Sequence, residues 1–143
     1  MFERFTEQAR RTLFFGRYAV TERGGARFDP EHVLLGAIRD PTALLPLQFT
    51  PETLNAMEEA LVASVAGGEK LATSVEVPFS EDAKAVIEHA AIEADDLGSR
   101  KIHTAHLLLG ILVKTQGAAF RVLHEAGVTA AELRSLLVGR SAE

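Results

Sequence analysis

Cysteine and tryptophan are absent from this chain, and tyrosine occurs once. The missing thiols exclude disulfides, thiolate metal sites and thiol catalysis, and they fit a reducing, cytoplasmic compartment. No apolar run is long. The longest, Leu107 to Val113, spans seven residues and includes Gly110, where a membrane span needs about 20. The opening Met1-Phe2-Glu3-Arg4 has no apolar core of the kind a secretory signal carries. No G-x-x-x-x-G-K-[ST] phosphate loop occurs. The nearest run, Gly67-Gly68-Glu69-Lys70, lacks both the spacing and the hydroxyl. No nucleophile sits in a recognisable turn, so the chain reads as no enzyme.

What is present is a core-forming composition. The 143 residues are 47% hydrophobic, enough for one packed domain. The net charge of −5 is unevenly spread: +2 over residues 1–39, −10 over 40–96 and +3 over 97–143. The acidic middle reads as a solvated helix face, and it argues against a general nucleic-acid binder.

An internal repeat organises the chain. Shifted by 74 positions, residues 5–38 lie over 79–112 without a gap, and 8 of 34 positions are identical. Unrelated segments of ordinary composition would share roughly two. The identities include Phe5/Phe79, Gly24/Gly98, His32/His106 and Gly36/Gly110. Copy one is about five residues shorter between Asp40 and Phe49, and that stretch holds Pro41 and Pro46. Its third helix should therefore be shortened or distorted.

Both copies have helical periodicity. Thr6 and Ser80 are N-cap candidates, each preceded by a phenylalanine in the staple position. Apolar stripes run Ala9, Leu13, Gly16, Ala19/Val20 and Ala83, Val86/Ile87, Ala90, Ala94, Leu97, ending near Gly24 and Gly98. Asp29-Pro30 opens the helix carrying His32, and Pro51 opens one with Leu54, Met57, Leu61 and Val65 on one face. Gly117 to Glu125 and Thr129 to Val138 form two more helices, split by Gly127. The expectation is an all-α fold of two four-helix repeats packed as a pseudo-twofold eight-helix domain. Repeat one spans 1–66, a linker 67–78 and repeat two 79–143. Val75 and Val77 could be extended, but a lone strand has nothing to pair with.

The motifs then suggest a family. Met1-Phe2-Glu3-Arg4-Phe5-Thr6-Glu7-Gln8-Ala9-Arg10, Glu31-His32-Val33-Leu34-Leu35-Gly36, His106-Leu107-Leu108-Leu109-Gly110 and Gly117-Ala118-Ala119-Phe120-Arg121-Val122-Leu123 occur in order and cover nearly the whole chain. The chain thus resembles the Clp amino-terminal domain, the double Clp repeat of ClpC and ClpA type. The resemblance implies a non-catalytic module that recruits substrates or adaptors to an AAA+ unfoldase, with protein partners and no cofactor. The contracted first copy points to a stand-alone protein of this type.

The resemblance also implies a ligand. ClpC relatives bind phosphoarginine, one site per copy, through a hydroxyl at the start of the first helix and a glutamate just before the repeated histidine. The positions here are Thr6 and Glu31 in copy one, and Ser80 and Ala105 in copy two. A helix N-terminus suits phosphate and a carboxylate suits guanidinium. Ala105 has no carboxylate, and Pro30 stands where the family has threonine, so the alternative is that Thr6 is only a cap and Glu31 only a first-turn acid. The second function class is therefore a structural or regulatory decoy, a competitor that has lost phosphoarginine recruitment. A third, a helical DNA-binding protein, rests on Arg4, Arg10, Arg11, Arg17, Arg23 and Arg27 alone.

Other residues have plainer readings. His103 and His106, three apart, would need a third ligand to hold a metal. The repeated His32 and His106 read better as core or capping histidines, and Gly36 and Gly110 as points of close helix approach. Phe14 and Tyr18 are neighbours on one helix face. They read either as an exposed partner surface or as rings filling space left by the short segment 41–49.

Overall fold

The computed structural model describes residues 2–65, 67, 71–72 and 76–138. Eight helices occur among them: α1 (Glu7–Arg23), α2 (Pro30–Arg39), α3 (Leu44–Gln48), α4 (Pro51–Ser64), α5 (Glu81–Asp96), α6 (Thr104–Lys114), α7 (Gly117–Glu125) and α8 (Ala130–Val138). Half of the expected linker, Gly68 to Lys70 and Thr73 to Val75, lies outside the described residues, as do Met1, Ala66 and residues 139–143. Val77 is described and belongs to no strand.

Local chemistry sets the helix ends. Thr6 Oγ1 accepts the N–H of Ala9 at 3.0 Å, and Ser80 Oγ accepts that of Ala83 at 3.1 Å, so both hydroxyls satisfy an otherwise orphaned donor of the first turn. Gly24 ends α1 in the left-handed conformation, φ 74°. In copy two the left-handed turn falls one residue after the cap, Leu97, at Gly98. Pro46 lies inside α3, which has five residues against nine in its counterpart α7.

The repeated helices α2 and α6 form the centre. Every residue from His32 to Ile38 and from Thr104 to Leu112 is buried. α1 packs on α2 and α5 on α6, and this approach is closest at glycines. A Cβ on Gly36 would strike the carbonyl of Thr12, and one on Gly110 that of Val86. Both glycines therefore mark backbone-to-backbone contact that no side chain can share.

The copies join across a pseudo-twofold. Phe5 bridges Ile102 and Phe28 bridges Phe79, both parallel, and these pairs exchange under the 74-residue shift. Thr6 N–H donates to Ile102 O at 3.0 Å, and Ser80 N–H to Phe28 O at 3.0 Å. Between these bridges α2 meets α5 and α6, α1 meets α6, and α4 meets α7. The Thr12 and Thr104 hydroxyls lie 3.0 Å apart in the buried α1–α6 contact.

Candidate functional site

The bridges decide which helix starts face each other. The Phe28–Phe79 bridge sets the start of α2, with Glu31, beside the start of α5, with Ser80. The Phe5–Ile102 bridge likewise sets Thr6, at the start of α1, beside Ala105, near the start of α6. Each hydroxyl expected to serve its own copy's acidic position therefore faces the other copy. Glu31 shares its cleft with the first turn of α5, and Thr6 lies next to the position that has no carboxylate.

The cleft at Glu31 encloses about 150 Å³. Pro30, Val86, Ile111 and Ala119 supply apolar walls, while Glu31, Asp82 and Lys114 supply charge. Burial pushes the Glu31 carboxyl above its ordinary range. Its own backbone N–H and Arg121 oppose that shift, and Asp29 and Asp82 reinforce it. Lys114 Nζ is held by Asp82 Oδ1 at 2.5 Å. A second, more open cleft of about 430 Å³ shares Asp82 and continues past Arg27, Asp29, His32, Ser80 and Glu81. The two clefts together are acidic. Asp29, Glu31, Glu81 and Asp82 line them with Arg27 and Lys114, while Lys84 pairs with Glu81 and Arg121 acts on Glu31 from beside the lining. The balance stays acidic between the walls and favours a cationic group over a bare anion.

The twin position is filled. Its lining, Gln8, Leu44, His103, Thr104, Ala105 and Leu136/Leu137, leaves about 20 Å³. Under the 74-residue shift Gln8 stands for Asp82 and Ala105 for Glu31, and α8 contributes its buried Leu137. Sequence reasoning anticipated the lost carboxylate. It missed Asp82 and Lys114, which reach the Glu31 cleft from the other copy, and the α8 leucines, which pack beside Ala105 from its own copy. The shared bridge residues Phe5/Phe79 were the available signal.

The remaining candidates separate clearly. Phe14 and Tyr18 are 62% and 41% exposed, so these rings do not fill the space beside α3. Arg4 is bound to Ser99 O at 3.1 Å and to Asp95 at 2.9 Å, and Arg11 to the buried Asp40 at 3.3 Å. His32 and His106 turn Nδ1 onto backbone N–H groups at their own helix starts. Among the described residues no three histidine, aspartate or glutamate side chains gather as metal ligands. No single described helix is long and apolar enough to cross a membrane.

Two four-helix repeats, back to back around paired central helices, with an acidic cleft where they meet, define a double-repeat N-terminal module of the Clp kind. Residues 4–137 match the Clp repeat (R) N-terminal domain, and the chain belongs to that family. It is 33% identical over its whole length to the chloroplastic chaperone protein ClpC of Pisum sativum, spanning 16% of that protein. It is 32% identical over 96% of its length to chloroplastic ClpC2 of Arabidopsis thaliana, spanning 15%. The chain thus corresponds to about one sixth of these relatives. Among solved structures it superimposes on the N-terminal domain of the chaperone ClpD from Arabidopsis thaliana, with TM-score 0.71, 27% identity, and coverage of 100% of this chain and 97% of that one. The Hsp104 N-terminal domain from Candida albicans shares the fold, with TM-score 0.68, 16% identity, and coverage of 99% and 94%.

Proposed function

We propose that the chain is a non-catalytic module that captures a protein or peptide for a Clp unfoldase through one site, the cleft between the starts of α2 and α5. Glu31 carries the guanidinium of the captured arginine by a charge-assisted bond, and Val86 and Ile111 pack against its aliphatic stem. When that arginine is phosphorylated, the phosphate lies toward the N-terminal end of α5 at Ser80. Thr6, facing Ala105, serves as a cap. The division into repeat one at 1–66, linker 67–78 and repeat two at 79–143 belongs to this reading, as does a cytoplasmic setting, where a chain without cysteine loses nothing.

One observation carries the reading: of two pseudo-equivalent clefts, only the one that keeps its carboxylate keeps its space. Tethering a substrate or adaptor there raises its concentration near a motor without any chemistry. Calorimetric titration with phosphoarginine and with phosphoarginine peptides tests it. One site per chain, lost in Glu31→Ala, is the expected result.

The filled twin cleft supports a second reading, a regulatory competitor that keeps the fold and has lost phosphoarginine recruitment. Absence of any heat with either ligand, together with capture of a Clp unfoldase or its adaptor, selects that reading.

A further inference from the structure

The outer faces of α1 and α5 are equivalent under the pseudo-twofold and opposite in charge. α1 carries Arg10, Arg11 and Arg17 there, Arg11 being held by Asp40, with the exposed rings of Phe14 and Tyr18 at its centre. Of the six carboxylates of α5, Glu81, Asp82, Glu93 and Asp95 pair with Lys84, Lys114, Arg134 and Arg4 of the same chain, which leaves Glu88 and Asp96 on the outer face beside Ile92, 50% exposed where α1 has Tyr18. Glu88 is exposed at the position of Phe14. The inner faces of both helices are taken by α2 and α6, and among the described residues no helix covers either outer face.

We propose that this chain associates with a second copy of itself head to tail, the basic aromatic face of α1 docking antiparallel on the acidic face of α5. Helix geometry supplies the match. Residues three and four apart share a face, and an antiparallel register that sets Phe14 against Ile92 of the second copy also brings opposite charges together on either side of that contact. Arg10 opposes Asp96 of the second copy, and Glu88 of the second copy lies opposite Tyr18 with Arg17 beside it, while Arg11 and Asp95 keep their partners Asp40 and Arg4 within each chain. The reverse pairing of like faces, α1 on α1 or α5 on α5, sets arginine against arginine or carboxylate against carboxylate. Because the two faces differ, each added copy leaves one α1 and one α5 face open, and assembly continues past the dimer.

Sedimentation velocity across protein concentration tests this. In low salt the average mass should rise with concentration to at least twice the 15.5 kDa of one chain. In about 0.5 M salt it should return to that of one chain. Arg17→Glu and Glu88→Lys should each stay monomeric with unchanged helical circular dichroism, because each sets like charges against one another. Mixed together they should associate again, since every contact between unlike chains pairs opposite charges. Phe14→Ser, which removes the apolar contact without adding charge, should also lower the mass. A wild-type chain that stays monomeric at every concentration overturns the proposal. So does association that is indifferent to Glu88→Lys, or a mixture that remains monomeric.

Discussion

His32 Nδ1 accepts the backbone N–H of Asp29 at 2.9 Å, and 74 residues later His106 Nδ1 accepts that of His103 at 2.8 Å. In each case the ring at the third helical position reaches back to the N-cap residue, as a glutamate does in a capping box. A neutral imidazole is required, because only an unprotonated Nδ1 can accept. That requirement explains why the same residue recurs at both helix starts, and it makes both rings sensitive to acid.

Stability should fall in mild acid through these rings. Burial, and secondarily the charge of His103, push His106 down to about 4 from 6.5, and burial lowers His32 as well. A group whose pKa is depressed on folding stabilises the native state fully above its unfolded value, and that stability is lost as pH falls toward the folded value. Thermal melts should therefore be flat above about pH 6.5 and decline from there to about 4, by an amount on the order of 3 kcal/mol for His106. His106→Gln should flatten most of that decline in a comparison of melting temperatures at pH 7 and pH 4.5.

Glycine-to-alanine substitutions in the central helices should damage the fold. A Cβ at Gly36 or Gly110 meets a backbone carbonyl of the neighbouring helix, which has no rotamer to yield. Gly36→Ala and Gly110→Ala should each cost about 3 kcal/mol, read as a shift in the urea midpoint without a change in slope. Gly98→Ala should be milder, because no atom crowds that site and only the left-handed φ is strained.

The hydroxyl pair between the copies should show coupling. Thr12 and Thr104 share a buried hydrogen bond at 3.0 Å, and their pseudo-equivalents are Val86 and Pro30. Thr12→Val or Thr104→Val alone should cost about 1–2 kcal/mol, since each strands a buried partner. The double variant should cost clearly less than the sum in a denaturation cycle.

Ligand binding at Glu31 should weaken in acid before an ordinary carboxylate site would. The Glu31 carboxyl is raised by burial, so it protonates at higher pH, and a cationic ligand loses its counter-charge as pH falls through that point. Titration of an arginine or phosphoarginine peptide by fluorescence anisotropy should show this decline. Glu31→Gln should bind roughly tenfold more weakly at neutral pH and lose the acid dependence.

Phe14→Glu should leave the melting temperature unchanged within about 2 °C, since the ring is 62% exposed and surface changes usually stay within about 0.5 kcal/mol. Loss of partner or self-association in the same variant would mark the ring as part of a contact surface.

Much of the helical framework was readable one segment at a time. Thr6 and Ser80 cap because a hydroxyl three residues before a free N–H needs no distant partner. The apolar spacing of Ala83, Val86, Ile87, Ala90 and Ala94 marks the buried face of α5 whatever covers it. The shortened α3 followed from Pro41 before it, Pro46 within it and the five missing residues. The site was only half legible. Glu31 stood out by its place before a repeated histidine, but its cleft-mates Asp82 and Lys114 are 51 and 83 positions away in the chain, and no local pattern links them.

The chain alone determined the helices, their ends and the twofold kinship of its halves, because caps, periodicity and left-handed glycines act within a turn or two of backbone. The tertiary structure decided which helix start faces which, which of two kindred clefts stays open, and which rings remain in water. Those outcomes depend on contacts between residues some 50 to 100 positions apart, such as Phe28 with Phe79 and Thr12 with Thr104. Such contacts arise only when the two copies bury their apolar faces against one another.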